Sequence, residues 1–209
     1  MRISQLSAAS GVPIPTIKYY LREGLLPQGE VTAATRAEYT EAHLRRLRLI
    51  RALLEVGRLP VAAIGQIIAA VEDESLPVHQ MLGTAHYALA PPVEAGPDDD
   101  HRRARERVDA LVAELGWSVH PEAPTRDELA GILVRLDQLG MPASEESLRV
   151  YASIMMRLVS EHEMHKIAFD GPREAAVESV VVGTVLYGKA FDTLRRLAQE
   201  SESARILGA

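Results

Sequence analysis

From Ala90 the chain reads Ala-Pro-Pro-Val-Glu-Ala-Gly-Pro, and three acidic residues, Asp98 to Asp100, follow. Proline fixes φ and has no N–H to donate, so neither a helix nor the interior of a sheet continues through Pro91, Pro92 and Pro97. The chain must therefore be assembled from a part before this break and a part after it. With 47% hydrophobic residues among 209, both parts hold enough apolar side chain for a core. The break predicts one domain over residues 1–75, a short helix and Pro-rich linker over 76–97, and a second, all-helical domain over 98–209.

The net charge of −6 would by itself argue against a nucleic-acid partner, but it averages two unlike parts. Residues 1–58 hold nine Lys or Arg against five Asp or Glu, a net +4, whereas residues 59–209 hold fourteen against twenty-four, a net −10. Such asymmetry marks a basic module joined to an acidic one. Cysteine is absent, which removes disulfides, thiolate metal sites and cysteine redox sensing together. No apolar run reaches the roughly 18 residues that suggest a spanning helix, and no charged-then-apolar leader opens the chain. The expectation is a cytoplasmic protein with no membrane partner. Arginine outnumbers lysine 20 to 3, a usage that points to a GC-rich, bacterial genome rather than to chemistry.

Periodicity predicts helices nearly throughout. A short helix through Ser10, capped by Ser4, keeps Ile3, Leu6 and Ala9 inward and stops at Gly11. Pro15 suits a first helical position, where its missing N–H would be unpaired anyway, and the helix it opens runs to Glu23 before Gly24. Two short helices joined by a glycine-containing turn form the helix-turn-helix pattern. Gln28 to Ala37 is polar with little periodicity. Thr40 and Glu41 open a helix with Leu44, Leu47, Ile50, Leu53 and Leu54 on one stripe; others start at Pro60 and at Pro77. Beyond the break, helices are expected over His101–Leu115, after a capping-box pattern of Thr125 and Glu128, from Ser144 to about Ala168, and from Glu174 to near Leu207. Ala175 to Leu186 is apolar nearly all round, which fits either a monomer core or a subunit interface.

On the second helix, 100° per residue sets Ile17, Leu21 and Tyr20 on one side and Pro15, Lys18, Tyr19 and Arg22 on the other. Two cations and a phenol beside a helix N-terminus are what holding phosphates and reaching base edges requires. A plain solvated face has the same spacing. The wider order is more specific: Ile3–Ser10, Gly11, Thr16-Ile17-Lys18-Tyr19-Tyr20, Arg22-Glu23-Gly24-Leu25-Leu26-Pro27, Tyr39, Glu41 and Leu44-Arg45-Arg46-Leu47-Arg48-Leu49-Ile50. Over about residues 1–75 the chain resembles the DNA-binding domain of MerR-type transcriptional regulators.

That resemblance implies an all-α fold with a small β-wing: an N-terminal winged helix-turn-helix domain and, after it, a C-terminal helical bundle for effector binding, dimerisation or both. It implies a recognition helix whose Pro15, Thr16, Lys18, Tyr19 and Arg22 face DNA, and a wing at Gln28–Tyr39 whose Arg36 holds phosphate. Tyr39 stands at the base of that wing. Arg45, with Arg46 and Arg48, is available to add phosphate contacts from the next helix, some of these cations being needed by Glu41 or Glu55. The partners implied are double-stranded promoter DNA, a second copy in a homodimer, and RNA polymerase, with duplex distortion as the mechanism. Two positions depart from the family pattern. Lys18 replaces an arginine, keeping charge without bidentate geometry, and Ala34-Thr35-Arg36 stands where Gly-Tyr-Arg is common.

The family's frequent cysteine metal sensor is excluded here, which leaves a small-molecule effector or none. Trp117, Tyr151, Met155 and Tyr187 are candidate pocket linings, although such groups also make ordinary core. His162 and His165 lie three apart rather than the four of zincin chemistry, so a solvated helix end explains them better. No phosphate-binding Gly loop, nucleophile elbow or paired-carboxylate motif occurs, and neither catalysis nor a metal or other cofactor is expected. Pro77 and the Pro91-Pro92 break limit the fifth helix to roughly three turns, so that helix and Val177–Leu186 both remain candidate dimer surfaces. The alternative reading is a small-molecule-binding or drug-sequestering helical protein whose DNA binding is secondary.

Overall fold

The computed structural model describes residues 1–33, 36–90 and 99–208, with backbone only at 32, 33 and 36. Ala34-Thr35 of the expected wing and Pro91–Asp98 of the expected linker lie outside the described residues. In chain order the elements are α1 (Ile3–Ser10), α2 (Ile14–Arg22), β1 (Glu30–Ala33), β2 (Arg36–Glu38), α3 (Glu41–Arg51), α4 (Val61–Glu72) and α5 (Val78–Leu89). Then come α6 (Asp99–Glu114), α7 (Pro124–Gln138), α8 (Glu145–Leu158), α9 (Arg173–Val182) and α10 (Gly188–Leu207). Single π-helical turns extend α3 over Ala52–Val56 and α8 over Val159–Glu163, and another, Gly183–Tyr187, joins α9 to α10. The architecture is the expected one, helical with one small antiparallel hairpin as the wing.

Local chemistry sets most of the boundaries. Gly11 ends α1 in the left-handed region, at φ 69°, and its N–H donates to the Ser7 carbonyl. Gly24, at φ 72°, turns the chain after α2 so that the N–H groups of Leu25 and Leu26 both donate to the Tyr20 carbonyl, at 2.9 and 3.2 Å. Ser144 caps α8 as expected, its hydroxyl accepting from the Ser147 N–H at 3.1 Å. Two expected caps are displaced. α1 begins at Ile3, with Gln5 accepting from the Arg2 N–H at 2.7 Å, so Ser4 lies inside the helix. α7 begins at Pro124, whose fixed φ starts the helix two residues early and draws Thr125 into its first turn.

The chain divides into two compact units, Met1–His86 together with Ile167–Ala209, and Tyr87–Lys166. This differs from the division at the prolines, which assigned all of 98–209 to one domain. α9 belongs to the first unit: Ala176, Val177, Val180 and Val181 are buried, and α9 packs on α3, on the π turn that follows it and on α4. Val177, Val180 and Val181, from the stretch that fitted either a core or a subunit interface, are thus core, whereas Leu186 at its end is exposed. Arg173, at the start of α9, donates to the carbonyls of Ala70, Val71, Asp73 and Leu76 at 2.9–3.0 Å. Those carbonyls belong to the last turn of α4 and the loop after it, where no intrahelical donors remain.

The second unit has its own core, in which Ala104, Val108 and Val112 of α6 meet Ala130 and Leu133 of α7. Ion pairs edge that contact. Arg105 bonds Asp109 at 3.1 Å and Asp127 at 2.8 Å, and Arg126 bonds Asp109 at 2.6 Å. Burial acts to raise the Asp109 carboxyl, but the hydrogen bonds from Arg126 and Arg105 outweigh it and hold the group below its ordinary range.

Removing the Arg173 clamp takes a donor from four carbonyls, of which Asp73 still accepts from the Leu76 N–H at 3.1 Å. Arg173→Ala is expected to cost the first unit about 1.5–3 kcal/mol, read as a lower urea midpoint with an unchanged slope. A midpoint within error of wild type would show that α9 is held by its valines alone.

Candidate nucleic-acid interface

α2 is sharply two-faced. Ile17 and Tyr20 are buried, Leu21 is half-buried, and Lys18 and Arg22 are exposed, with Arg22 side-chain accessibility at 71%. Pro15 is exposed in the first turn, and Thr16 and Tyr19 are half-buried. The adjacent tyrosines therefore part company: Tyr19 stays at the surface while Tyr20 turns into the core, their ring centroids 5.8 Å apart at a 60° tilt. Burial raises the Tyr20 hydroxyl pKa, Glu55 adds to that and Arg51 opposes it, so the phenol is neutral. The Arg22 guanidinium sits 5.3 Å from the Tyr19 ring centroid, a cation–π contact that limits its rotamers. Its Nε is 3.4 Å from Glu23, an exposed and weak pair.

The wing follows. β1 and β2 pair antiparallel with Val31 opposite Ala37 and Ala33 opposite Arg36, and a register shift lies between Val31 and Ala33. Arg36 is placed on β2 by its backbone; its side chain is outside the described residues. Gly29, just before β1, is packed so closely that a Cβ there would lie 2.8 Å from the Glu38 carbonyl oxygen and 3.0 Å from the Tyr39 ring. Tyr39 is the strut of the wing. Its N–H donates to the Met1 carbonyl at 2.8 Å, its carbonyl accepts from the Met1 ammonium at 2.5 Å, and its ring meets His43 edge-on at 5.1 Å. At 6% exposure Tyr39 is buried at the base of the wing and presents little surface to a ligand.

The cations of α3 divide in the same way. Arg46 is 5% exposed, bonded to Glu72 at 2.7 Å and 3.7 Å from Glu174, so it ties α3 to α4 and α9 and is withdrawn from any phosphate. Arg51 donates to the Ser10 carbonyl at 3.1 Å and to Glu55 at 2.9 Å, pinning the turn between α1 and α2. The Arg51 hydrogen bond holds the Glu55 carboxyl below its ordinary range, the adjacent positive charge assisting against a small burial effect. Arg48 is exposed, whereas Arg45 is half-buried with its Nε shielded and unbonded. Lys18, Arg22 and Arg48 are exposed, as are Arg2 and Arg58 in the same segment.

Residues 1–71 match the family described as MerR HTH family regulatory protein. The crystal structure of SCO5550, a candidate transcriptional regulator from Streptomyces coelicolor A3(2), is 38% identical to the chain, covers 98% of it and 97% of its own length, and superimposes with a TM-score of 0.74. This chain belongs to the MerR family of transcriptional regulators. An HTH-type transcriptional regulator of Haemophilus influenzae named as a ZntR homolog is 40% identical over 50 residues, 24% of this chain and 37% of that relative's length. The shared segment is thus a little over a third of that protein.

The expected pocket residues of this MerR-family protein are divided between the two units. Tyr187 belongs to the first unit, and the other three to the second. There Trp117 packs against the α6–α7 core, Met155 is half-buried on α8, and Tyr151 is 63% exposed. A cleft of about 380 Å³ in that unit is lined instead by Asp100, Arg103, Arg107, Val134 and Asp137. His162 and His165 are exposed in the turns after α8, and no cluster of metal-ligating side chains occurs among the described residues. No helix among them is long and apolar enough to cross a membrane.

Sequence reasoning overlooked Gly29. Its only signal was a glycine in a polar stretch just ahead of the wing. Gly29→Ala is expected to displace the Glu38 carbonyl, cost about 1–3 kcal/mol and weaken DNA binding through the wing. Equal thermal midpoints and equal DNA affinity would show that the hairpin absorbs the added methyl.

Proposed function

We propose that this regulator acts as a homodimer on promoter DNA, each α2 entering a major groove while each wing grips flanking backbone. The observation that carries the reading is the single face of α2 on which Lys18 and Arg22 stand exposed while Ile17 and Tyr20 anchor the opposite face in the core. Lys18 supplies a compact charge for phosphate, and Arg22, steadied on Tyr19, supplies the planar donor fork that reads guanine edges. Thr16 and Pro15 border the same face. Arg36 extends the phosphate track along the wing, and Arg45 and Arg48 extend it along α3. The acidic remainder of the chain, net −10 over residues 59–209, repels DNA and so favours this one approach.

A dimer reads two half-sites, and rigid spacing between its recognition helices turns the cost of bending or untwisting the intervening duplex into a control variable. On this reading the protein changes how RNA polymerase meets the promoter by reshaping the spacer, and small-molecule binding in the second unit biases that distortion.

Fluorescence anisotropy on an operator selected from random duplexes tests the assignment. Arg22→Ala is expected to weaken binding by about 1–3 kcal/mol and relax specificity at one position. Lys18→Ala is expected to weaken all sequences alike and reduce the salt slope by about 1. Unchanged affinity in both variants, with wild-type circular dichroism, would remove α2 from the interface.

A further inference from the structure

The cleft of about 380 Å³ lies wholly within the second unit, between the first turns of α6 and the last turn of α7. A space of that size suits a small metabolite. α6 brings Asp100, Arg103 and Arg107 to it, α7 brings Asp137, and Ala104 with Val134 gives it an apolar wall. Its two acids and two cations balance. Arg107 is fixed from behind: its Nε donates to Glu145 at 3.1 Å and its Nη2 to the Ala143 carbonyl at 2.8 Å. Its third nitrogen, Nη1, is left 3.7 Å from the Asp137 carboxylate, beyond hydrogen-bond distance. That carboxylate takes no hydrogen bond among the described residues. A solvated pair at such a separation contributes little. One turn before Arg107, Arg103 is 64% exposed and bonded to Asp100 of the first turn of its own helix.

The geometry points to a free α-amino acid with an apolar side chain as the occupant of this cleft. The assignment rests on the function proposed above, in which a small molecule acts on the second unit, and gives that molecule a site and a chemical class. The amino and carboxylate groups of an α-amino acid stand about 3 Å apart, close to the spacing of Arg107 Nη1 and Asp137. Its carboxylate accepts from Arg107 Nη1, with Arg103 one turn away as a second donor. Its ammonium donates to Asp137, and its side chain lies against Ala104 and Val134. Each charge meets its opposite through charge-assisted hydrogen bonds that Arg107 and Asp137 do not make with each other. A simple carboxylate would bring its charge against Asp100 and Asp137, and a simple amine would meet two guanidiniums. A dipeptide parts its ammonium and carboxylate by one more residue, about 3.5 Å further, which overshoots the pair. Bound in this way, the amino acid bridges α6 to the last turn of α7 and stabilises the second unit by mass action.

Calorimetric titration of the full chain with L-leucine, L-methionine and L-phenylalanine tests the site. N-acetyl-L-leucine, isopentylamine and leucyl-leucine are the controls, each lacking one charge or the α-spacing. At least one of the free amino acids is expected to bind saturably and raise the thermal midpoint, and the controls to bind about tenfold more weakly or not at all. Asp137→Asn keeps the side-chain shape and breaks no hydrogen bond, so its circular dichroism is expected to match wild type. It is expected to weaken binding by roughly 10- to 100-fold, and Arg103→Gln to weaken it in the same direction. Absence of binding by all of the amino acids at millimolar concentration would overturn the proposal. So would equal binding of the acetylated or decarboxylated probe, or wild-type affinity in D137N. Operator anisotropy with and without the amino acid separates this site from the function proposed above. Binding that D137N abolishes, with operator affinity the same in both conditions, would keep the cleft as an amino-acid site and remove small-molecule control of DNA binding.

Discussion

One guanidinium decides how the parts of this chain belong together. Arg173 lies beyond every helix of the second unit in sequence, yet it donates to four carbonyls at and just past the end of α4. Those oxygens have no intrahelical donor and carry the negative end of the helix dipole, so a cation there satisfies hydrogen bonds and charge at once. Glu174, the next residue, reaches toward Arg46 of α3, and the buried valines of α9 complete the contact. The DNA-binding head is therefore not finished at α4. It takes its last packing layer from residues some 100 positions downstream, and α10 inherits its rooting from that layer.

A consequence is that the head carries two classes of arginine that sequence position does not separate. Arg46 and Arg51 hold helices together from inside or across a turn, whereas Arg22 and Arg48 are left in solvent. The tyrosines show the same split, with Tyr20 and Tyr39 structural and Tyr19 supporting Arg22 at the surface. Basic composition alone overstates the number of groups a phosphate could meet. The exposed cations are fewer than the composition suggests, and on α2 they are Lys18 and Arg22.

The helix-turn-helix was legible because its determinants are local. Gly11, Pro15 and Gly24 impose backbone conformation on their own neighbours, and the 3.6-residue period of Ile17 and Tyr20 fixes which side turns inward. The boundaries that shifted did so by a residue or two, where Pro124 outcompeted Thr125 as the start of α7. What could not be read was long-range. Proline breaks report where the backbone cannot continue as a helix, not which segments later touch, so the return of α9 to the first unit left no trace in the linker. Tyr39 was legible as the base of the wing, but its backbone pairing with Met1 was not, since the two lie 38 positions apart. The apolar stretch at 175–186 was ambiguous because a core helix and an interface helix share one composition; only the packing partner distinguishes them.

On the function proposed above, the exposed face of α2 makes this MerR-family protein a promoter-binding regulator. Chromatin immunoprecipitation, followed by salt-titrated binding to the enriched fragments, tests it most directly. Enrichment is expected at inverted repeats lying within promoter spacers, with log affinity falling linearly in log salt at about 0.9 per phosphate contact. No enrichment, together with weak binding indifferent to salt, would contradict it.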